Sequence, residues 1–393
     1  MFQRLVSHND DLRWLLEKGY AIAFDSNHLV VRDIPYLDHE LTLQTGAIVT
    51  PLVPMDENLV QQADHQVYFA GSQPYGLDGK PIPNLGGGMT QIALSEASRD
   101  VVVQRSFSNK PKKTGKFKDF FEKIESYVSI ISGPAMELHK ATPLTYRAYT
   151  DAESDPIFTF QDSLTSIAGI SDLTSAFEDD VIAVIGLGGT GSYVLDFLTK
   201  TRVREIRGFD ADPFYVHNAY RSPGRVEPQE FSKPKAEIYG SRYASFRSGL
   251  SFHCKFIDGS CTAELQDVTF AFVCVDKGSS RAGILDLLIS MGIPTIDVGM
   301  GLNRKRGPLA GMLRTTYFSA DHAEDLRGRG LVDLADPPDD IYRTNIQTGE
   351  LNALNACLAI ILFKQIRGFY VQQDPYCHLL FDLTDFKAVA EQF

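Results

Sequence analysis

The sequence predicts an α/β protein in which a doubly wound, mainly parallel sheet follows an N-terminal α+β module. The apolar run Val181–Ile185 leads directly into a glycine-rich turn and then into helical spacing over residues 193–198. From there to about residue 318, apolar strand-like runs alternate with helical segments. Such alternation is typical of a parallel sheet that helices cover on both faces. We therefore divide the chain into a module at 1–150 and a doubly wound domain at 151–393.

Composition excludes several classes of protein. The 393 residues, 44% of them hydrophobic, are enough for two domains with cores of their own. A net charge of −12 argues against nucleic acid and anionic membranes as partners, because both repel an acidic protein. The sequence has no apolar run of about 18 residues that would span a membrane. Its first residues lack the apolar core of a signal peptide, so we expect a cytoplasmic protein.

The cysteine pattern argues against a metal or disulfide framework. All five cysteines lie in the second half of the chain, at positions 254, 261, 274, 357 and 377. None belongs to a Cys-x-x-Cys pair, so no zinc site is expected. An odd number of cysteines in an intracellular chain is typical of buried free thiols.

The N-terminal module is predicted to begin with a helix over residues 1–24. Three strand-like runs and an amphipathic helix follow, at 28–32, 46–53, 66–70 and 119–131. We interpret the glycine-rich stretch 84–90 as a surface loop, the basic run 109–118 as a solvated face, and His65 as a structural histidine, since it has no metal-ligand companion at the required spacing. The pattern does not predict what this module does.

The doubly wound domain is preceded by a polar helical segment at 162–177. Its predicted strands are 181–185, 204–210, 251–257, 268–276, 294–301, 308–318 and 378–383, and its later helices are 235–246, 279–291 and 349–369. Residues 321–347 are charged and are predicted to form a loop.

The glycine-rich turn contains Gly186, Gly188, Gly189 and Gly191, and it is typical of a Rossmann-like nucleotide-binding unit. Glycines let the backbone approach a phosphate closely. The N-terminus of the following helix offers unpaired N–H groups and a positive dipole end. The turn alone does not separate ATP enzymes from nicotinamide or flavin enzymes.

Four features that follow the turn favour ATP. They are Asp210 and Asp212 after the second strand, Asn218 with Arg221, Lys235 at the start of a helix, and Asp276 at the end of the fourth strand. An acidic residue after the second strand can bind ribose hydroxyls, as nicotinamide enzymes also require. Cleavage of ATP at its α-phosphate additionally needs cationic side chains, which offset charge on the phosphates, and a carboxylate that holds Mg²⁺.

Together, the Gly-x-Gly-Gly-x-Gly-Ser turn, Asp-x-Asp, Asn-x-x-Arg, Pro-Lys and the strand-end Asp resemble the adenylating fold of ubiquitin-activating enzymes and of the bacterial MoeB/ThiF/HesA proteins. The resemblance covers about residues 165–385. It implies an enzyme that uses ATP and Mg²⁺ to adenylate the C-terminal glycine of a ubiquitin-like protein, with release of pyrophosphate. It also implies a homodimer.

The same resemblance implies a role for each site residue. Gly186, Gly188, Gly189 and Gly191 cradle phosphate, Asp210 of the Asp210-x-Asp212 pair binds ribose, Asn218, Arg221 and Lys235 contact the phosphates, and Asp276 holds Mg²⁺. The helix that contains residues 350–356 is similar to a helix late in such domains.

The N-terminal part, with Asp33-Ile-Pro-Tyr36 and residues 64–71, resembles an uncharacterised domain fused to adenylating domains in bacterial operons. Those operons also encode ubiquitin-like and conjugating-type proteins. We therefore expect a bacterial ubiquitin-like conjugation pathway, with a conjugating-type protein as a further partner.

The sequence departs from the family pattern at two places, and the second concerns what happens after adenylation. Ser222 stands where a Gln usually follows the family Arg, and no cysteine lies between residues 301 and 342, where several relatives place the thiol that receives the activated protein. We interpret Cys274 and Cys357 as core thiols and place Cys254 in the third strand. Cys261 is predicted to be the most exposed thiol and is the candidate thioester cysteine, which would require a low thiol pKa. Direct transfer to a partner's thiol is the favoured mechanism.

Three alternatives stay open. The chain is an adenylating enzyme for a small molecule or RNA, an NAD-dependent oxidoreductase, or an inactive scaffold. Arg221, Lys235 and Asp276 argue against the second, which does not need them, and intact Arg221 and Asp276 argue against the third.

Overall fold

The structure is a computed structural model of the chain. It describes every residue except 1, 26, 57, 96–97, 112–113, 148–156, 161, 169, 305–306 and 337–345. The chain forms two compact units, Met1–Ser171 and Asp172–Phe393. The predicted domain boundary between residues 150 and 151 lies outside the described residues and stays a prediction.

The N-terminal unit contains an antiparallel sheet and four helices among its described residues. Its elements are α1 (Phe2–His8), α2 (Asp10–Lys18), β1 (Ala21–Asp25), β2 (His28–Leu37), β3 (Leu43–Pro54), β4 (Val60–Gln62), β5 (Gln66–Ala70), β6 (Gly88–Met89), β7 (Arg105–Ser108), α3 (Phe120–His139) and α4 (Ser163–Ala168). The strand order is β1-β2-β3-β5-β7-β6, with β4 paired to β3. Helix α3 packs on β2, and its side chains Phe120, Ile124 and Ile131 join the core of the unit.

The predicted helix over residues 1–24 is wrong after residue 18. Asn9 separates α1 from α2, and its side chain donates to Leu5 O at 2.8 Å and accepts from Val60 N at 3.0 Å. Gly19 then ends α2 with φ of +107°, a left-handed conformation that glycine adopts readily. All five residues of β1 are buried and pair with β2, so the apolar run after Gly19 is a core strand.

Lys123 is a buried charge in the core of the N-terminal unit. It lies on α3, and its Nζ donates to Thr50 Oγ1 and to Asp64 O, both at 2.8 Å. Burial lowers the pKa of Lys123 from 10.5 to about 8. Between these two pH values the unfolded chain binds more protons than the folded unit, so the stability contributed by this group rises with pH across that window.

We expect Lys123→Met to remove this rise in stability between about pH 8 and pH 10.5. The free energy of unfolding can be measured in denaturant by the fluorescence of Trp14. It is the only tryptophan of the chain, and its ring lies 6.0 Å from that of Phe121 on α3. An identical pH dependence in the wild type and the variant would contradict the prediction.

The second unit contains a larger, mixed sheet. Its elements are β8 (Val181–Ile185), α6 (Gly189–Leu198), β9 (Glu205–Phe209), α7 (Val216–Ala219), α8 (Lys235–Tyr243), β10 (Leu250–His253), β11 (Phe270–Val273), α9 (Gly278–Ser290), β12 (Thr295–Asn303), β13 (Ala310–Phe318), α10 (Ala323–Gly328), α11 (Gly349–Ile366), β14 (Tyr376–Asp382) and β15 (Lys387–Gln392), and the short helix α5 (Ser171–Ser175) precedes them across the division between the units. The strand order is β10-β9-β8-β11-β12-β13-β14-β15. The first five strands are parallel and the last three are antiparallel.

This topology confirms the predicted doubly wound, mainly parallel sheet, because the parallel strands stand in the order typical of nucleotide-binding domains. Strand β8 shows how both faces are covered. Ile182 and Val184 pack into the cluster that contains α6 and α11, whereas Val181, Ala183 and Ile185 pack into the cluster that contains α9. Strand β15 and helix α10 are not among the predicted elements. No helix in the described part of the chain is long and apolar enough to cross a membrane.

Candidate active site

The candidate site lies at the carboxyl ends of β8, β9 and β11. The chain runs from β8 to β9 and β10 on one side and returns to β11 on the other, so the strand order reverses between β8 and β11. A crevice at such a point is where doubly wound sheets bind nucleotides. A cavity of about 530 Å³ opens here, a size typical of small-molecule sites. Six of the predicted site residues line it: Gly186, Gly188, Asp210, Asp212, Lys235 and Asp276.

The glycine turn brings backbone atoms into close contact and leaves space at one position. Gly186 has φ of +92°, and a Cβ at Gly191 would lie 1.9 Å from the Gly186 carbonyl oxygen. A Cβ at Gly188 would meet no described atom within 4 Å, and this residue lines the cavity. Helix α6 begins at Gly189, where unpaired N–H groups and the helix dipole favour an anion. The space at Gly188 therefore fits a phosphate group.

Asp210 and Lys235 form a buried pair at the end of β9. The Asp210 carboxylate accepts the backbone N–H groups of Leu187 and Asp212, each at 2.8 Å. Lys235 Nζ lies 3.3 Å from both Asp210 oxygens and donates to Asp212 Oδ2 at 3.1 Å. Burial raises the pKa of Asp210, and the charge of Lys235 opposes this shift. The structure thus joins the predicted ribose-binding carboxylate to a predicted phosphate-binding cation.

Asp276 follows β11 and is exposed. Gln347 Nε2 donates to its two carboxylate oxygens, at 3.2 Å and 3.3 Å. No group of three or more potential metal-binding side chains occurs among the described residues. Proteins usually hold Mg²⁺ by one or two carboxylates together with substrate phosphates and water. A single exposed carboxylate in the same cavity as the glycine turn therefore fits Mg²⁺ bound together with ATP.

Asn218 and Arg221 are not among the residues that line the cavity. Asn218 is buried, and its Oδ1 accepts the backbone N–H of Tyr215 at 2.8 Å, which stabilises the start of α7. Arg221 Nε is buried and has no hydrogen-bond partner among the described residues. The pKa of His217 is lowered by burial and then by the charges of Arg221 and Lys235, so both cations lie near the same imidazole.

Sequence reasoning assigned no role to the amide side chains in and before α11. Gln347 contacts Asp276, and Asn352 Oδ1 accepts from Thr190 Oγ1 at 2.9 Å. A Cβ at Gly189 would lie 2.4 Å from Asn352 Nδ2, so the helix packs directly against the glycine turn. The available signal was the spacing of Asn352 and Asn355, which puts two buried amides on one face of a helix that is otherwise apolar there.

Arg281, five residues after Asp276, has a structural role. It is buried on α9, where its Nε pairs with Asp297 Oδ1 at 2.9 Å. Its Nη1 and Nη2 donate to Asp333 O at 3.0 Å and to Val275 O at 2.5 Å. Asp297 is fully buried on β12 and also pairs with Arg314, at 2.6 Å. The guanidinium of Arg281 thus joins α9 to three other segments of the second unit.

We expect Arg281→Met to lower the free energy of unfolding by about 2 kcal/mol, because it removes charge-assisted hydrogen bonds from a buried carboxylate. Arg327→Met is the matched control, since its partner Asp286 on α9 is 61% exposed and such pairs contribute at most about 1 kcal/mol. Calorimetry of both variants measures the difference. Equal stability losses would show that burial of the Arg281 pair has no special effect.

The prediction that Cys261 is the most exposed thiol is wrong. Cys261 is 1% exposed and packs in the core with Leu265. It is buried because the loop after β10 folds back, with Cys261 N donating to Asp258 O at 3.1 Å. Strand β10 ends at His253, so Cys254 lies beyond the strand and is exposed. Burial and the neighbouring Glu237 raise the pKa of Cys254, which disfavours its thiolate.

Comparisons with known proteins agree with the family resemblance. Residues 165–305 match the ThiF family and residues 10–163 match DUF6791, a domain of unknown function. The chain therefore contains a ThiF family domain behind an uncharacterised N-terminal domain, which confirms the predicted resemblance. No curated protein matches the chain.

Three solved structures are among those similar to this chain. PaaA is 15% identical, with 56% of this chain and 75% of that one covered and a TM-score of 0.41. MccB of E. coli, solved with ATP, is 12% identical, with 58% and 70% covered and a TM-score of 0.42. TcdA (CsdL) is 16% identical, with 50% and 90% covered and a TM-score of 0.37. The ThiF family domain supports an adenylyltransferase-type enzyme that uses ATP.

Proposed function

We propose that the chain adenylates the C-terminal glycine of a ubiquitin-like protein and passes the activated protein to a conjugating-type partner. The ThiF family domain supports the adenylation. The observation that carries the proposal is the convergence of the glycine turn, Asp210, Lys235 and Asp276 on one cavity at the point where the strand order reverses. The ubiquitin-like substrate, the homodimer and the bacterial pathway rest on the resemblance in the sequence.

In the proposed reaction, a carboxylate oxygen of the substrate attacks the α-phosphorus of ATP. A carboxyl-oxygen-to-phosphorus bond forms, the bond from the α-phosphorus to the oxygen that bridges to the β-phosphorus breaks, and pyrophosphate leaves with that oxygen and its electron pair. Lys235 and Arg221 offset the negative charge on the phosphates. Asp276 holds Mg²⁺, which when bound neutralises charge on the phosphate oxygens.

Asp210 and Lys235 change partners in this proposal. Lys235 contacts both oxygens of Asp210 and one of Asp212. The phosphates of ATP carry more negative charge than a carboxylate and therefore attract the ammonium group of Lys235 more strongly. We propose that Lys235 turns from the two carboxylates to the phosphates of the bound nucleotide. Each carboxylate oxygen has two acceptor positions, so Asp210 keeps its backbone N–H bonds and gains capacity for the ribose hydroxyls.

The activated protein is proposed to go directly to a thiol of the partner, whose sulfur attacks the acyl carbon to form a thioester while the bond from that carbon to the phosphate oxygen breaks and AMP leaves. Cys261 is buried, and burial raises the pKa of Cys274 in the cavity wall. A thioester needs an accessible thiol with a stabilised thiolate. None of the five thiols meets both conditions, because Cys261 and Cys377 are buried and burial raises the pKa of Cys254, Cys274 and Cys357, so no covalent intermediate on this chain is proposed.

ATP–pyrophosphate exchange tests the proposed function, with and without a ubiquitin-like protein that ends in glycine. Exchange that depends on this protein is the expected result, and a non-reducing gel is expected to show no thiol-sensitive adduct of the chain. Exchange with a small molecule or RNA in its place would contradict the protein substrate. A melting temperature that rises with NAD(H) but not with ATP–Mg²⁺ would instead favour an oxidoreductase.

A further inference from the structure

A second, smaller cavity adjoins the nucleotide cavity. Its volume is about 50 Å³, and the two cavities share the wall residues Cys274, Val275 and Asp276. The remaining lining comes from the first residues of α6, from α9, from β12 and from the α11 segment, namely Gly189, Thr190, Arg281, Val298, Gly299, Met300, Gln347 and Asn355. It therefore lies beyond the glycine turn, on the β12 side of Asp276.

Asn355 presents an unsatisfied acceptor at this cavity. The residue is 1% exposed, and its Nδ2 donates to Gly299 O at 3.1 Å. A carbonyl oxygen can only accept, so this bond fixes the orientation of the amide and leaves Oδ1 as its other end. Asn355 Oδ1 is buried without a hydrogen-bond partner among the described residues. A buried acceptor without a hydrogen-bond partner lowers the stability of the folded state by about 1–3 kcal/mol. We therefore expect a hydrogen-bond donor to bind in this cavity.

The position of the smaller cavity indicates which hydrogen-bond donor contacts Asn355 Oδ1. The attacking carboxylate must reach the α-phosphorus roughly in line with the leaving pyrophosphate, beside the glycine turn and Asp276. Gly189 and Asp276 both line the smaller cavity. A carboxylate that attacks beside these two residues therefore brings the terminal residue of the substrate to this cavity. The donor that every non-proline peptide residue carries is its backbone N–H. A volume of about 50 Å³ holds a few water-sized groups, which matches the main chain of one residue with a small side chain.

We propose that Asn355 Oδ1 accepts the backbone N–H of the C-terminal residue of the acyl substrate and that the smaller cavity holds this residue. The inference rests on the proposed function, since it names a substrate-binding residue of the same site. It assigns Asn355 to recognition of a peptide-type acyl group, as opposed to a carboxylic acid without an amide.

Stable analogues of an acyl adenylate test this proposal without the protein substrate. In 5′-O-(N-acylsulfamoyl)adenosines, a sulfamoyl group replaces the phosphate. The N-acetylglycyl compound carries the amide N–H, the O-acetylglycolyl compound replaces that N–H by an ester oxygen at nearly the same shape, and unacylated sulfamoyladenosine probes the nucleotide cavity alone. Calorimetric titration of the full chain gives the dissociation constant of each.

The wild type is expected to bind the glycyl compound about tenfold more tightly than the glycolyl compound, the size of effect that one hydrogen bond to a buried acceptor produces. Asn355→Leu is expected to reduce this ratio to about one while leaving the affinity for sulfamoyladenosine unchanged. Equal affinity of the wild type for the two acyl compounds would overturn the proposal, because only water would then satisfy Asn355.

The outcomes also separate this inference from the proposed function. Binding of sulfamoyladenosine with no preference between the two acyl compounds overturns the role of Asn355 and leaves the nucleotide site intact. Absence of binding by all three compounds overturns the proposed function itself. If Asn355→Leu does not fold, the comparison of the two acyl compounds on the wild type still decides the question.

Discussion

Asp276→Asn is expected to lower ATP–pyrophosphate exchange by about 10²–10³-fold, because it removes the negative charge that holds Mg²⁺ against the phosphates. The substitution keeps the shape of the side chain and an oxygen that accepts from Gln347. Asp276 is exposed, so the melting temperature without nucleotide is expected to stay unchanged. Exchange rates measured over a range of Mg²⁺ concentrations report the effect.

Asp286→Asn is the matched control for this variant. Asp286 is an exposed carboxylate on α9, paired with Arg327 and absent from the lining of both cavities. The Asp286→Asn substitution removes the same charge from the same unit, and we expect no change in the rate of ATP–pyrophosphate exchange. If Asp276→Asn showed wild-type exchange at limiting Mg²⁺, the metal-binding role of Asp276 would be excluded.

Six of the predicted site residues line one cavity because they follow short, local patterns in the sequence. Asp210 stands directly after β9 and Asp276 three residues after β11, and parallel strands bring their carboxyl ends to one edge of a sheet. Lys235 opens a helix that packs beside them. In such a sheet, a side chain that follows the carboxyl end of a strand lies at the same edge as the side chains that follow the neighbouring strands. Its position can therefore be predicted before any tertiary contact is known.

Residues that meet only through tertiary contacts are not predicted. Gln347 reaches Asp276 from 71 residues away, after a charged segment without periodicity. Cys261 illustrates the same limit, since a polar loop sequence suggested exposure whereas the fold buries its thiol. The helix predicted over residues 1–24 failed because helical spacing does not distinguish a helix from a buried strand that follows a glycine. Only pairing with β2 makes residues 21–25 a strand.

A pair of glycine variants separates the packing role of the turn from its binding role. A Cβ at Gly191 would lie 1.9 Å from the Gly186 carbonyl oxygen, a backbone atom that cannot turn away. We expect Gly191→Ala to lower the free energy of unfolding by about 3 kcal/mol, as overpacking against a rigid neighbour does. Calorimetry without nucleotide measures this loss.

Gly188→Ala is expected to affect nucleotide binding more than stability. A Cβ there would meet no described atom within 4 Å, but φ of −75° with ψ of −149° lies outside the regions that alanine favours, so we expect the free energy of unfolding without nucleotide to fall by only about 1 kcal/mol. The methyl group would occupy the space that we assign to phosphate, and the stabilisation by ATP–Mg²⁺ is therefore expected to fall. A Gly188→Ala protein that ATP–Mg²⁺ stabilises as strongly as the wild type would place the phosphates elsewhere in the cavity. A Gly191→Ala protein of wild-type stability would show that the turn relaxes away from the Gly186 carbonyl oxygen.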